Sequence, residues 1–294
     1  MKAWILASRP KTLPAAMIPV LLGFAWAYAG GAFYFFPAIV CLSFALLIQI
    51  GTNFANDYYD FVKGADTDER MGPSRAVASG WITPGAMRMA TGLTMFAAFL
   101  AGCLLIPIGG WWLLIVGVLS ILCGIAYTGG PYPLGYNGLG DVFVFIFFGL
   151  IATAFSYHLQ TLEWSRGAWI LGVIPGALAT SLLVVNNLRD VETDTAAGKR
   201  TLIVRYGVRF GSVEYAFMFC LALFSSLALA ILAEDWRLLL PWLLTPWGAR
   251  ICVRLTRAQG RSRQHWDRLL QSTAMLLVAF GLLQFIGILL SAWN

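Results

Sequence analysis

Nine stretches of the sequence, at 13–29, 36–56, 87–108, 110–127, 140–159, 168–187, 212–233, 236–252 and 270–291, are apolar and nearly free of charge. Each has about the length, roughly 17 to 25 residues, that a helix needs to cross the hydrocarbon core of a bilayer. In that core a peptide group finds no water to bond, so a spanning segment must satisfy its own backbone, and a helix does so. A hydrophobic fraction of 59% against 12% charged residues excludes an ordinary soluble domain. The chain therefore reads as one all-α integral membrane domain over residues 1–294, with nine transmembrane helices.

The basic residues set the expected orientation. Of the 20 Lys and Arg residues, 18 fall in the N-terminal segment or in alternate loops that share its side, and only Arg166 and Arg237 fall opposite. Positive residues are retained on the cytoplasmic side, which places the N-terminus inside and, after nine crossings, the C-terminus outside. The same distribution accounts for the pI near 9.2 without nucleic acid, which is not expected as a partner. Trp111, Trp112, Trp164, Trp236 and Trp242 suit an aromatic belt at the far interface. The five cysteines lie singly inside apolar runs, so neither a disulfide framework nor a zinc site is indicated.

Against this apolar background two polar clusters stand out. The first is Asn53, Asn56, Asp57 and Asp60, at the end of the second run; the second is Asn186, Asn187, Arg189, Asp190, Glu192 and Asp194, at the end of the sixth. Asp190 and Asp194 follow Asn56 and Asp60 by 134 residues each, so the two polar pairs share one spacing. Residues four apart stack on one face of a helix, and ionisable groups at membrane depth are costly enough to mark function. Oxygen donors without His or Cys suit Mg²⁺, whose shell is completed by water and phosphate. Asn56, Asp57, Asp60, Asp190 and Asp194 are the candidate metal ligands. The plainer alternative is helix capping with ordinary loop polarity.

Cations interleave with these acids: Arg9 and Lys11 before the first helix, Lys63 and Arg75 after the first cluster, and Arg189, Lys199 and Arg200 around the second. Together with Asn53 and Asn187 they are candidates for binding a diphosphate, positive-inside topology being the competing explanation for each. The loop from Tyr127 to Asp141 contains no basic residue and is rich in Gly and Tyr. It reads either as a plain turn or as a lid whose Tyr127 and Tyr132 present aromatic faces to a cation. Asp141 and Glu163 read as loop decoration, and His158 and His265 have no partner at ligand or triad spacing.

These residues resemble the UbiA superfamily of intramembrane aromatic prenyltransferases. Asn56, Asp57 and Asp60 match its Asn-Asp-x-x-Asp pattern, Asp190 and Asp194 its second Asp-x-x-x-Asp, and the resemblance covers essentially the whole chain. The chain departs at Gly64, where many members carry a further Asp; Asp66 stands two residues later. Arg9 to Thr12, the run from Asn56 through Arg75, and Asn187 to Leu202 are similar to the members that act on 1,4-dihydroxy-2-naphthoate in menaquinone synthesis.

The resemblance implies transfer of a polyprenyl group from polyprenyl diphosphate to that aromatic acid, with release of diphosphate and CO₂. Mg²⁺ held by the aspartates would draw charge from the leaving diphosphate, placing Asp57, Asp60, Asp190 and Asp194 at the reacting group. Tyr127 and Tyr132 would face the allylic cation, and the prenyl tail would extend into membrane lipid. A bacterial inner membrane with the site facing the cytoplasm is the implied location. Two rivals stay open: a prenyltransferase using 4-hydroxybenzoate or homogentisate, and an ion-coupled transporter, which would place its charges near the bilayer midplane.

Overall fold

A computed structural model describes residues 1–65, 72, 75–258, 260 and 262–292; Asp66, Ser74 and Asn294 lie outside the described residues. The described residues are helical with no strand among them. Seven helices are long and apolar enough to cross a membrane. The expected runs correspond to α1 (Leu13–Ala29), α2 (Phe35–Val62), α3 (Pro84–Gly109), α4 (Trp112–Ala126), α5 (Gly140–Thr161), α6 (Arg166–Arg189), α7 (Val208–Ala233), α8 (Thr245–Leu255) and α9 (Arg263–Ser291). The fourth and eighth are shorter than a full span. α4 has 15 residues, and α8 has 11, preceded by a 3₁₀ segment at Trp236–Leu244. The sequence shows why at the latter: Pro241 and Pro246 fall within one apolar run, and each removes a helical donor.

α6 is the most enclosed of the seven long helices. Its Leu171, Ile174, Leu178 and Val185 join Leu22 of α1, Tyr215 and Phe219 of α7, and Phe280 of α9 in the main core. Without a strong hydrophobic drive between helices in lipid, close backbone approach supplies much of the packing. Gly149 of α5 meets Gly172 and Gly176 of α6 so closely that a β-carbon on Gly149 would lie 2.5 Å from the Gly176 Cα. A π-helical turn at Ile146–Ile151 surrounds that contact, re-aiming the side chains around it. Both polar clusters leave the bundle at one end, at the C-termini of α2 and α6.

Candidate active site

α2 runs unbroken past its apolar portion to Val62, and Gly64, with φ of +67°, follows Lys63 and turns the chain. The continuous helix sets Gln49, Asn53, Asn56 and Asp60 along one side. Asp60 is 2% exposed and surrounded by donors: Arg75 Nη2 at 2.7 Å from Oδ2, the Tyr136 hydroxyl at 2.7 Å from Oδ1, and Lys199 Nζ at 3.8 Å. Asn56 Oδ1 accepts from the Thr128 hydroxyl at 2.8 Å. Asp57 points elsewhere. Its two oxygens accept the backbone N–H groups of Ala76 and Val77, each at 3.0 Å, fixing the turn that carries Arg75.

α6 ends at Arg189, and a short helix, Val191–Ala196, takes over after the kink at Asp190. The backbone nonetheless keeps the four-residue spacing, with Asp194 N–H donating to Asp190 O at 2.8 Å. Buried Arg189 holds Asp190 through two bonds, Nε to Oδ1 at 2.7 Å and Nη2 to Oδ2 at 2.6 Å, and also donates to Asn186 Oδ1. Lys199 Nζ sits 3.1 Å from Asp194 Oδ1. Because Lys199 also reaches toward Asp60, one ammonium bridges the two clusters.

A polar cavity of about 470 Å³ gathers Arg9, Lys11, Asn56, Asp60, Arg75, Tyr127, Asn187, Asp190, Asp194 and Lys199 on its walls. Several of the expected residues, Asn53, Lys63, Tyr132, Arg189 and Arg200, do not line this cavity. Asn53 Nδ2 donates to Ser8 O and to the Thr12 hydroxyl oxygen, clamping the segment in which Arg9 adopts a left-handed φ of +50°, a rare state for a long side chain. Arg189 is enclosed beneath Asp190. Lys63 Nζ donates to Thr128 O at 2.6 Å; burial, with Lys199 adding to it, holds its ammonium below the ordinary range although Asp60 opposes this. Arg200 is exposed, its N–H on Tyr136 O. Tyr132 is 59% exposed, while Tyr136, four residues further along, turns inward. Its ring lies 4.6 Å from Lys63 Nζ and 4.7 Å from Lys199 Nζ.

An apolar cavity of about 170 Å³ adjoins the polar one, walled by Phe44, Ile48, Phe143, Phe147, Phe155 and Leu159 among others. Gln49, Tyr127, Val144 and Phe148 border both. Acids and cations at one end and a hydrocarbon-lined space behind them together fit a lipid-tailed anion. The pattern described as the UbiA prenyltransferase family matches residues 16–290. The chain belongs to the UbiA prenyltransferase family.

Among curated relatives, the 1,4-dihydroxy-2-naphthoate octaprenyltransferase of Escherichia coli is 36% identical over 99% of this chain and 96% of its own length. The Haemophilus influenzae protein of the same name is 39% identical over 79% and 78%. A UbiA homolog from Archaeoglobus fulgidus, solved bound to GPP and Mg²⁺, shares the fold with a TM-score of 0.69 at 13% identity, covering 97% and 99% of the two chains. The protein is thus an aromatic prenyltransferase, and the multi-pass membrane character read from its apolar runs belongs to this family.

For a UbiA-family site the donors suit a magnesium ion. They are all oxygen, as that hard cation prefers. Lys199 already places positive charge between Asp60 and Asp194. Among the described residues no group of three or more His, Cys, Asp or Glu side chains comes together as a metal site. Among the residues of this site missed in the sequence are Thr128, Tyr136 and Gln49, and further round the cavity Arg263, Asp267 and Gln271. Thr128 and Tyr136 carried no signal beyond their loop. Gln49 did: it is the one amide in the apolar run from 37 to 50 and stands four residues before Asn53. Asp141 is a correction, since it is buried at the start of α5 rather than decorating a loop.

Proposed function

We propose that the protein transfers a polyprenyl group from polyprenyl diphosphate to 1,4-dihydroxy-2-naphthoate, releasing diphosphate and CO₂ to give the demethylated menaquinol. The observation that carries this reading is the meeting of the polar and apolar cavities at Tyr127 and Phe148. A diphosphate seated among Arg9, Lys11, Arg75 and Lys199 has its tail in the apolar cavity and its scissile carbon at that junction. Arg and Lys neutralise the leaving group. Tyr127 and Phe148 turn π faces to the allylic cation, and the surrounding aliphatic and aromatic wall keeps water from it. Magnesium, held by Asn56, Asp60, Asp190 and Asp194, would supply electrostatic stabilisation of the departing diphosphate. Asp57 serves the site by fixing the Arg75 turn, Tyr136 by fixing Asp60, and Asn53 and Arg189 by fixing Arg9 and Asp190. The naphthoate acceptor rests on the relatives, because motifs around a diphosphate do not distinguish it from 4-hydroxybenzoate or homogentisate.

The test is purified protein in lipid with Mg²⁺, a prenyl diphosphate and the three aromatic acids, with products identified by mass. Product from the naphthoate, lighter by CO₂ than simple addition, is expected; product from either other acid alone overturns the acceptor. Chelation is expected to abolish turnover and Mg²⁺ or Mn²⁺ to restore it, whereas full rate in excess chelator removes the metal. We further infer nine crossings, α4 and the Trp236–Leu255 segment included, in a bacterial inner membrane with the site in the cytoplasm. Ala196, exposed beside Asp194, tests this. A cysteine there is expected to react with an impermeant thiol reagent from the cytoplasmic face, and labelling from the periplasmic face overturns the orientation.

A further inference from the structure

Gln49 lies where the two cavities join, one turn deeper in α2 than Asn53, and is 7% exposed. Its amide orientation is dictated by Thr12. The Thr12 hydroxyl donates its hydrogen to Arg9 O at 2.9 Å, so toward α2 it can only accept. It accepts from Gln49 Nε2 at 3.0 Å and from Asn53 Nδ2 at 3.2 Å, which uses both lone pairs. Gln49 must therefore turn its NH₂ to Thr12 and its carbonyl oxygen away, and that buried oxygen has no hydrogen-bond partner. Burying an acceptor without a donor is unfavourable, and such a group calls for a partner that completes the bond.

The chemistry of the two substrates says which one can do so. An ionised prenyl diphosphate is hydrocarbon and acceptor oxygens; it has no N–H or O–H to give. A hydroxylated aromatic acid does. We propose that Gln49 Oε1 is the hydrogen-bond acceptor for a ring hydroxyl of the aromatic substrate, holding the ring over the junction with its nucleophilic carbon toward the scissile carbon of the donor. This deepens the prenyltransferase reading above and rests on it. Specificity follows, because a site with a committed acceptor disfavours a ring that brings no hydroxyl to it. The Thr12 hydroxyl, itself locked by Arg9, Gln49 and Asn53, couples the orientation of this amide to the segment that carries Arg9 and Lys11.

The test pairs a side-chain change with a substrate change. Inhibition constants are measured, against the dihydroxynaphthoate, for two analogues in which one or the other ring hydroxyl is a methoxy group. In the wild type one analogue is expected to bind about tenfold or more weakly than the parent acid, and in Gln49→Met that difference is expected to vanish, with the parent acid itself weakened by a similar factor. Because Asn53 still donates to Thr12, the Michaelis constant for the prenyl diphosphate is expected to change less than the inhibition constant of the parent acid, and the melting temperature to stay within a few degrees. Equal affinity of both methoxy analogues and the parent acid for the wild type overturns the proposal even without a folded variant. So does a Gln49→Met enzyme that discriminates as the wild type does. If the wild type turns over no dihydroxynaphthoate at all, the prenyltransferase reading of the acceptor has failed first, which the same measurements reveal.

Discussion

The ends of α2 and α6 carry the same spacing of acids yet treat them differently. At α2, Asp60 is gripped by groups far away in the sequence, Arg75 and Tyr136, and Asp57 is committed to the backbone of Ala76 and Val77. At α6, Asp190 is paired with its own neighbour Arg189, and Asp194 with Lys199 five residues on. One end depends on the following loop for its geometry and the other is assembled locally. Matched spacing therefore gives matched position at the cavity without matched support, and the consequences of mutation should differ.

The largest effect is expected on rate. Removing a contact that stabilises the leaving group at about 3–4 kcal/mol slows turnover by roughly 10²–10³. Asp60→Ala and Asp194→Ala are both expected to do so in a steady-state assay. They should part company in melting temperature. Asp60→Ala takes from the buried Arg75 guanidinium the carboxylate oxygen 2.7 Å away, and removing one partner of a buried ion pair is destabilising. Asp194→Ala removes the carboxylate 3.1 Å from Lys199 Nζ, and the flexible stem of Lys199 can carry its ammonium toward water. A thermal scan showing equal, unchanged melting for both variants breaks the distinction, and retention of more than about a tenth of the rate in both removes the paired site.

Next in size is Asp57. Asp57→Ala orphans two backbone donors at about 1–3 kcal/mol each. It is expected to lower the melting temperature with a smaller loss of rate per folded molecule than Asp60→Ala causes. Asp57→Asn, which retains one good acceptor, should recover part of the stability. If Asp57→Ala melts as the wild type does while losing rate 10²-fold, Asp57 belongs with Asp60 at the diphosphate and the support role fails.

How far such roles could be read beforehand depended on contrast. Acids and amides at the ends of apolar runs were visible because hydrocarbon makes every charge conspicuous, and the helical runs were visible for the same reason. The division of labour among them was not visible. Whether Asp57 or Asp60 faces the cavity turns on a rotation of about 100° per residue around α2 and on where a loop of distant sequence folds back. Tyr136 and Thr128 act through one hydroxyl each, inside a loop whose other residues are equally compatible with a turn. α4 and α8 were read from the sequence as full spans like the others, whereas the structure gives the former 15 residues and divides the latter into a 3₁₀ segment and an 11-residue helix.

The smallest effect probes that loop. Tyr136 and Tyr132 are the same residue type four apart, but only the first donates to Asp60, at 2.7 Å, and only its ring lies against Lys63 and Lys199. A hydrogen bond to a charged acceptor contributes about 1.5–3 kcal/mol. If part of it is realised in the rate-limiting step, Tyr136→Phe should slow turnover by roughly tenfold, with the ring and its cation contacts preserved. Tyr132 is 59% exposed, and Tyr132→Phe is expected to remain within about twofold of the wild-type rate. The pair is read in one assay at saturating acceptor, with the Michaelis constant for the diphosphate measured alongside. A misplaced Asp60 should appear in both the rate and that constant, while loss of a general lid function should appear at both tyrosines. Equal effects at Tyr132 and Tyr136 would sink the claim that the loop serves the first cluster through one hydroxyl, and would return it to the role of a lid.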